Sequence, residues 1–387
     1  MRQVSSSKKE RKQSNAKEFG EVQLFALGEM SKREPESVPK LTIGLDLGDR
    51  ASCFCAVNAD AEVVARGQVV TEQQPLEHFF SRIPPSVVAL EVGTHSPWIS
   101  RLIEGLGHET VVANARRVKL ISQSSRKNDR VDAELLARLA RSDRALLSPV
   151  EHRGEAAQAD LIAVRVRAQL VELRTAAING ARGLAKSFGQ RLAVCDADTL
   201  NRKHAGHLHA SIRAHVERLL EIVEELTEQI GGCDEDLKKI KAERYAAETA
   251  RLEQIKGVGA VTALTFVLTL DNPERFQHSR DVGCYLGLRP KSSQSGASEP
   301  EMRISKEGDG YLRTLLVQCA QYILSRRGPE TDLKRWGQTI AQKGKKKAKK
   351  RAVVAVARKL AVLMHRLWVS GAAYEPVRQR QVAAKAA

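Results

Sequence analysis

The stretch Leu41–Leu47, L-T-I-G-L-D-L, alternates apolar residues with polar or small ones. Leu41, Ile43, Leu45 and Leu47 fall on one side of an extended chain, and Thr42, Gly44 and Asp46 on the other. The pattern predicts a β-strand that is buried on its leucine side and carries one carboxylate on the other. A carboxylate between two leucines is costly unless it is paired or bound to a metal. Asp46 is therefore the first candidate functional residue.

Working outward, S-C-F-C-A-V and E-V-V-A-R-G-Q-V-V follow, the first after the turn-prone G-D-R, and the three segments read as an antiparallel meander. A helix is expected near 74–82, then a buried strand V-V-A-L-E ending at Glu91. Ser96-Pro97 opens a second helix, since serine and proline are favoured at the cap and first turn. E-T-V-V-A-N reads as a fifth strand. N-D-R-V-D-A-E-L-L-A-R-L-A-R-S reads as a helix beginning near Asn128 or Asp129. The order β-β-β-α-β-α-β-α over 41–150 is that of an RNase H-like fold.

On either side of this unit the composition changes. Residues 1–40 are charged, polar and rich in serine, which predicts a disordered basic extension with no apolar core of a secretory signal. Residues 151–245 show helical patterning only. From Ile212, positions 212, 216, 219, 223, 226, 230, 233, 237 and 240 repeat with alternating 4-3 spacing, the seam of a coiled coil. Gly231-Gly232 is expected to kink or break that helix. The segment L-I-A-V-R-V-R-A-Q-L-V-E-L-R is a candidate antiparallel partner. A helical hairpin, a dimerisation stalk and an ordinary bundle all remain open, because heptads alone do not fix oligomeric state. Residues 246–387 form a third, mainly helical unit. There L-E-Q-I-K-G-V-G-A-V-T-A-L-T-F-V-L resembles a helix-hairpin-helix turn, which offers backbone N–H groups to a phosphate or simply joins two helices.

Among the 387 residues, Lys and Arg number 63 against 46 Asp and Glu, a net charge of +17, which favours a polyanionic partner, nucleic acid before membrane. No apolar run approaches the roughly 18 residues of a membrane span. Six scattered cysteines have no zinc spacing and read as free thiols of a reducing cytosol. The run 343–351, K-G-K-K-K-A-K-K-R, holds seven basic residues in nine. Lys345, Lys346, Lys347, Lys349, Lys350 and Arg351 are candidate phosphate contacts, which position a polymer without reading its sequence.

Two constellations carry chemistry. The first is acidic: Asp46 on the first strand, Glu91 at the end of V-V-A-L-E, and Asp129 with Asp132 at helical i, i+3 spacing, hence on one helix face. In an RNase H-like topology these elements converge, and four carboxylates suit one or two Mg²⁺ ions that polarise a scissile phosphate. Asp132 also fits a plain first-turn charge favoured by the helix dipole. The second constellation is P-K-S-S-Q-S-G-A-S, a Gly/Ser-rich loop before R-I-S-K-E-G-D-G-Y-L-R-T-L-L. A serine there can attack phosphorus if cations stabilise the added negative charge, and Arg303, Lys306 and Arg313 are the candidates. No Ser-His-Asp order points to acyl hydrolysis.

The succession G-L-D-L-G, A-L-E-V-G-T-H-S, S-R-K-N-D-R-V-D-A-E-L-L-A, I-K-G-V-G-A-V-T-A, F-Q-H-S-R-D-V-G-C-Y-L-G-L-R-P, S-G and R-I-S-K-E-G-D-G-Y-L-R-T-L-L covers roughly 41–380. It resembles the insertion-sequence transposases with an N-terminal DEDD, RuvC-like domain and a C-terminal serine transposase domain, also called bridge-RNA-guided recombinases. The resemblance implies that Asp46, Glu91, Asp129 and Asp132 are catalytic metal ligands for Mg²⁺. It implies that Ser295, which precedes a glycine, is the nucleophile; Ser292, Ser293 and Ser298 lie close by. The acidic helix departs from the family's K-T-D with Lys127-Asn128-Asp129, leaving the acids intact. The resemblance further implies a serine–phosphate intermediate, a homo-oligomer (dimer or tetramer) in which the acids of one protomer work beside the serine of another, and element-end and target DNA as partners. It also implies a structured bridge RNA that carries specificity by base pairing, and a prokaryotic cytoplasm, at the nucleoid. Two rivals stand beside it: a metal-dependent nuclease or junction resolvase using the acids alone, and a non-catalytic nucleic-acid-binding protein.

Overall fold

The computed structural model describes residues 41–114, 129–291, 302–344 and 346–377. It is a mixed α/β chain that divides after His152 into two compact units.

The first unit is built on a five-stranded sheet: β1 (Thr42–Asp46), β2 (Ala51–Val57), β3 (Val63–Val70), β4 (Val87–Glu91) and β5 (Glu109–Ala113). Its spatial order is β3-β2-β1-β4-β5. β1, β2 and β3 form the expected antiparallel meander, and β4 and β5 run parallel to β1. Helices α1 (Gln73–Phe80) and α2 (Ser96–Gly105) supply the crossovers to β4 and β5, and α3 (Asp129–Ser142) follows β5. The period-2 pattern decides which face each side chain takes. Leu41 just before β1, Ile43 and Leu45 of β1, Phe54 and Ala56 of β2, and Val88 and Leu90 of β4 share a core with Leu76, Phe79 and Phe80 of α1 and Ile99 and Ile103 of α2. The opposite face packs on α3: Cys53, Cys55 and Val57 against Ala133 and Ala137, and Val87 and Ala89 against Leu136, Leu139 and Ala140. The sheet is thus covered on both sides, α1 and α2 on one and α3 on the other.

The second unit is helical. Two long helices, α4 (Glu155–Ser187) and α5 (Ala210–Arg244), pack on each other. They are antiparallel: Tyr245 just past α5 bonds Asp160 near the start of α4, Arg167 Nε donates to Asp234 at 2.9 Å, and Leu219 meets Gly180. The seam read from the sequence lies on this interface, with Val216, Val223, Ile230 and Leu237 buried. Its partner is α4 of the same chain. Gly231-Gly232 does not interrupt α5, contrary to the expectation. Both glycines are exposed and face open space, while Ile230 before them is buried and Asp234 and Leu237 after them hold the helix to α4. The cost of about 1 kcal/mol per helical glycine is outweighed by that packing.

The remaining helices are α6 (Ala246–Glu253), α7 (Ala260–Leu270), α8 (Ser279–Tyr285), α9 (Gly310–Leu324), α10 (Asp332–Gln342) and α11 (Lys346–Ser370). Their shared core includes Leu252, Phe266, Val267, Leu286, Leu316, Ile323, Val356, Leu360 and Met364. The G-V-G segment is the turn between α6 and α7. Gly257 has φ +106° there, and a Cβ would stand 2.9 Å from the Tyr322 ring, so only glycine fits. All six cysteines are free thiols, and burial pushes those of Cys55 and Cys319 up, away from the reactive thiolate. Among the described residues, no helix is long and apolar enough to cross a membrane.

Candidate active site

β1 and β4 lie side by side and run in the same direction, with Thr42 opposite Val87 and Leu45 opposite Leu90. The next residues along are Asp46 and Glu91, the last of each strand. Adjacent strands lie about 4.8 Å apart, so two carboxylates end up as neighbours at one sheet edge. Alternation also fixes their face. Asp46 shares parity with Gly44, whose missing side chain lets the α3 backbone touch the sheet: a Cβ there would lie 1.9 Å from the Ala133 carbonyl oxygen and 2.6 Å from the Ala137 nitrogen. Glu91 shares parity with Val87 and Ala89, which pack on Leu136, Leu139 and Ala140. Both carboxylates therefore project to the side covered by α3. Asp132 immediately precedes Ala133, and its Oδ1 is buried. Asp129 is the first residue of α3, but its side chain lies outside the described residues.

Three half-buried acids from β1, β4 and α3 thus approach one sheet edge. Two like charges on neighbouring strands repel unless a cation or proton lies between them. Hard carboxylate oxygens suit Mg²⁺, and Asp46, Glu91 and Asp132, with Asp129, are the residues that would hold it. Among the described residues no three His, Cys, Asp or Glu side chains already stand close enough to cage a metal ion. Nearby acids outside this set have other partners. Glu134 accepts from Arg66 Nη2 at 2.5 Å and from Arg138 Nε at 2.8 Å. Asp49 stands 3.5 Å from His95 Nε2.

His95 stands beside these acids, although its sequence pattern does not mark it. It sits in the loop after Glu91 and tethers it to the loop after Asp46 through Asp49. Trp98 Nε1 donates to His95 Nδ1 at 3.2 Å, which leaves Nε2 as the protonated nitrogen facing Asp49. The motif A-L-E-V-G-T-H-S contained it, but only the fold brings Asp49 alongside.

Ser295 and its neighbours Ser292, Ser293 and Ser298 lie outside the described residues. The chain on either side of them is closed like the neck of a loop. Lys291 N donates to Arg303 O and Ser305 N to Arg289 O, both at 2.9 Å, and Pro290 bridges Ile304. Lys306 N donates to Gly287 O at 3.1 Å. Gly287, at φ +65°, lets the two strands of the neck meet: a Cβ would stand 2.2 Å from the Glu307 carbonyl oxygen. Arg303 and Lys306 are exposed at this neck, and so are Arg289 and Lys291, which G-L-R-P-K signalled but sequence reasoning did not select. Arg313, expected to contact phosphate, points its Nη1 to the carbonyl oxygens of Leu286 and Glu307, each at 2.9 Å. These bonds give it a part in holding the base of the neck. Asp309 caps α9 through Leu312 N at 2.7 Å and pairs with Arg165 of α4.

The basic run leads into α11. Lys346 is the first residue of α11, and Lys347, Lys349, Lys350 and Arg351 are exposed on its first turns. Lys345 and the Lys346 side chain lie outside the described residues.

With this geometry in hand, the chain can be compared with known proteins. Residues 43–188 match the DEDD transposase family model of IS110 elements, and residues 249–335 match the Transposase IS116/IS110/IS902 family. The transposase for insertion sequence element IS1328 of Yersinia enterocolitica is 30% identical over 300 residues, which cover 75% of this chain and 86% of the relative. The chain belongs to the IS116/IS110/IS902 family of transposases. It is accordingly an enzyme of DNA transposition. The transposase for insertion sequence element IS1111A of Coxiella burnetii is 28% identical over 329 residues, 83% of this chain and 88% of the relative. In this family member, the first matched segment runs from β1 to the end of α4 and takes in all four acids. The second spans α7, α8 and α9 together with the neck of the serine loop.

Proposed function

We propose that this transposase cuts and rejoins DNA with two groups of residues, a DEDD carboxylate set that holds Mg²⁺ and a serine nucleophile. The observation that carries the reading is the register of β1 and β4, which makes Asp46 and Glu91 neighbours on the α3 side of the sheet. The strand order β3-β2-β1-β4-β5, with acids at the ends of β1 and β4 and on the following helix, supports an RNase H-like, RuvC-like fold for this unit. Asp46, Glu91, Asp129 and Asp132 would hold the metal, which supplies charge neutralisation at a scissile phosphate. Carboxylate–metal chemistry alone hydrolyses; rejoining needs the bond energy to be kept.

Ser295 provides for that. Its Oγ attacks phosphorus, the Oγ–P bond forms as one ester P–O bond breaks, and the departing deoxyribose oxygen gains a proton as the serine loses one. The number of phosphoesters is unchanged, so reversal onto a new hydroxyl rejoins strands with no energy cofactor. Arg289, Lys291, Arg303 and Lys306 at the loop neck stabilise the extra negative charge. The acids and the serine loop belong to different compact units, which is compatible with an oligomer combining the acids of one protomer with the serine of another. A structured RNA that pairs with donor and target DNA completes the reading, with the protein holding backbone and shape. The site of action is the prokaryotic nucleoid.

The test of the carboxylate half is cleavage of element-end DNA, with the element's flanking RNA present, before and after chelation. Cleavage is expected to stop with chelator, return with Mg²⁺, and fall about 100-fold or more in Asp46→Asn and Glu91→Gln while DNA binding stays within twofold. Undiminished cleavage in both variants would remove the acids from the mechanism. Omitting the RNA should abolish site choice; unchanged site choice without it would remove RNA guidance.

A further inference from the structure

We propose that the face shared by α10 and α11 is a stacking platform for single-stranded nucleic acid, centred on Trp336. This rests on the reading that the chain works on nucleic acid, and it adds a surface that neither the acids nor the serine loop contains.

Trp336 is 37% exposed on α10. The Lys359 ammonium of α11 lies 4.2 Å from its ring centroid, a cation–π contact that holds the indole in place. The adjacent Gly337 explains why the ring stands at the seam of the two helices. A Cβ there would come within 2.5 Å of the Val356 side chain and 2.6 Å of Leu324, so the α10 backbone lies against α11 and its neighbour Trp336 borders the groove.

Asp332, four residues before Trp336, is paired with Arg335 at 2.7 Å, and the charge of the neighbouring α11 is of one sign. Across its 25 residues α11 carries eight lysines and arginines and no acidic residue, whereas solvated helices usually mix signs. Arg351, Ala355, Lys359 and Arg366 recur at spacings of 4, 4 and 7, which forms one stripe along the helix, about 22 Å long at 1.5 Å per residue. All but Ala355 are exposed cations. Just past the end of α10, exposed Lys343 lies seven residues beyond Trp336.

An aromatic ring beside a line of cations fits a polymer with phosphates and free base faces. Every unpaired base can stack on an indole, whereas a duplex has its base faces already stacked. A protein partner would need acidic groups matched to this stripe but would gain less from a single open indole. The chemistry is common to single-stranded DNA near cut ends and to unpaired RNA, and the experiment separates the two.

Fluorescence anisotropy with the full chain would compare a 20-nucleotide oligo(dT), a 20-nucleotide oligo(U) and a 20-base-pair duplex. Trp336→Leu is expected to weaken single-strand binding about tenfold, consistent with roughly 1–3 kcal/mol per stacked base, and to leave duplex binding within twofold. Trp336→Phe should retain single-strand affinity within about threefold, which excludes misfolding as the cause. Lys359→Met should lower the salt slope for single strands by about 0.7. Weakening confined to oligo(dT) or to oligo(U) identifies which strand the platform serves. Equal weakening on duplex and single strands, or none in Trp336→Leu, would overturn the platform while leaving nucleic-acid binding intact. Failure of the wild type to bind any of the three probes would overturn the underlying reading as well.

Discussion

A methyl group at Gly44 would stand 1.9 Å from the Ala133 carbonyl oxygen, so this one glycine sets how closely α3 approaches the strand that carries Asp46. Gly44→Ala is expected to lower stability by about 3 kcal/mol, the upper range for overpacking, because the obstacle is helix backbone and not a side chain that can swing away. Chemical denaturation checks this, and a midpoint equal to wild type would contradict the close approach. Asp46 and Gly44 were both visible in L-T-I-G-L-D-L, but the glycine's partner was not, since nothing local marks which helix crosses the strand. Arg313 illustrates the same limit. Its charge beside a serine loop suggested phosphate, and only the folded chain reveals the carbonyl oxygens of Leu286 and Glu307 at its Nη1. His108 gives a prediction in pH. It is buried, its Nδ1 accepts from Ser86 N, its Nε2 donates to Phe80 O, and burial pushes its pKa below the usual 6.5. The unfolded chain therefore binds the proton more readily, and stability falls as pH drops through about 6.5 towards the lower folded value. Melting temperature should fall more between pH 7.5 and 5.5 in wild type than in His108→Gln; identical falls would remove His108 as the cause.

The hairpin of α4 and α5 was legible because a 4-3 repeat needs an apolar partner, and α4 supplies one with Leu161, Val164 and Ile178. What the repeat did not reveal is the polar fastening at its end. Asp160 is buried and accepts from Arg244 and from the Tyr245 hydroxyl at 2.9 Å. Burial, and then the bond to Asp160, pushes Tyr245 up to about 12. Asp160→Ala should cost about 1–3 kcal/mol, since it leaves a part-buried hydroxyl and guanidinium without their acceptor. Thermal unfolding reads this directly, and an unshifted transition would relegate the fastening to the surface. Gly231-Gly232 misled because propensity weighs a helix alone, whereas here packing on both flanks decides. The lysine run also sits against local preference. Cations at a helix N-terminus oppose the macrodipole, so a helix beginning at Lys346 runs against local preference. A bound phosphate chain would relieve that opposition.

At the scale of the whole molecule, a net charge of +17 and the family's chemistry meet in the same prediction. Replacing Lys347, Lys349, Lys350 and Arg351 by glutamine should reduce the salt slope of duplex binding by up to about 0.9 for each phosphate left without its cation, with little change in cleavage once DNA is saturating. An unchanged slope would return these residues to solvent. The β-β-β-α-β-α-β-α order and the antiparallel meander were readable from period and turn residues, and strand order then followed from pairing. Ser295 was singled out only by resemblance, because a Gly/Ser-rich loop has no periodicity that sets one serine apart from its neighbours. Covalent trapping tests the central claim most directly. Labelled element-end and target DNA would be incubated with the protein, Mg²⁺ and the element's flanking RNA, then denatured and examined for DNA attached to protein. The account predicts an adduct in wild type that is absent in Ser295→Ala. DNA cut by both proteins with no adduct in either would contradict it and leave a hydrolytic nuclease of the four acids in its place.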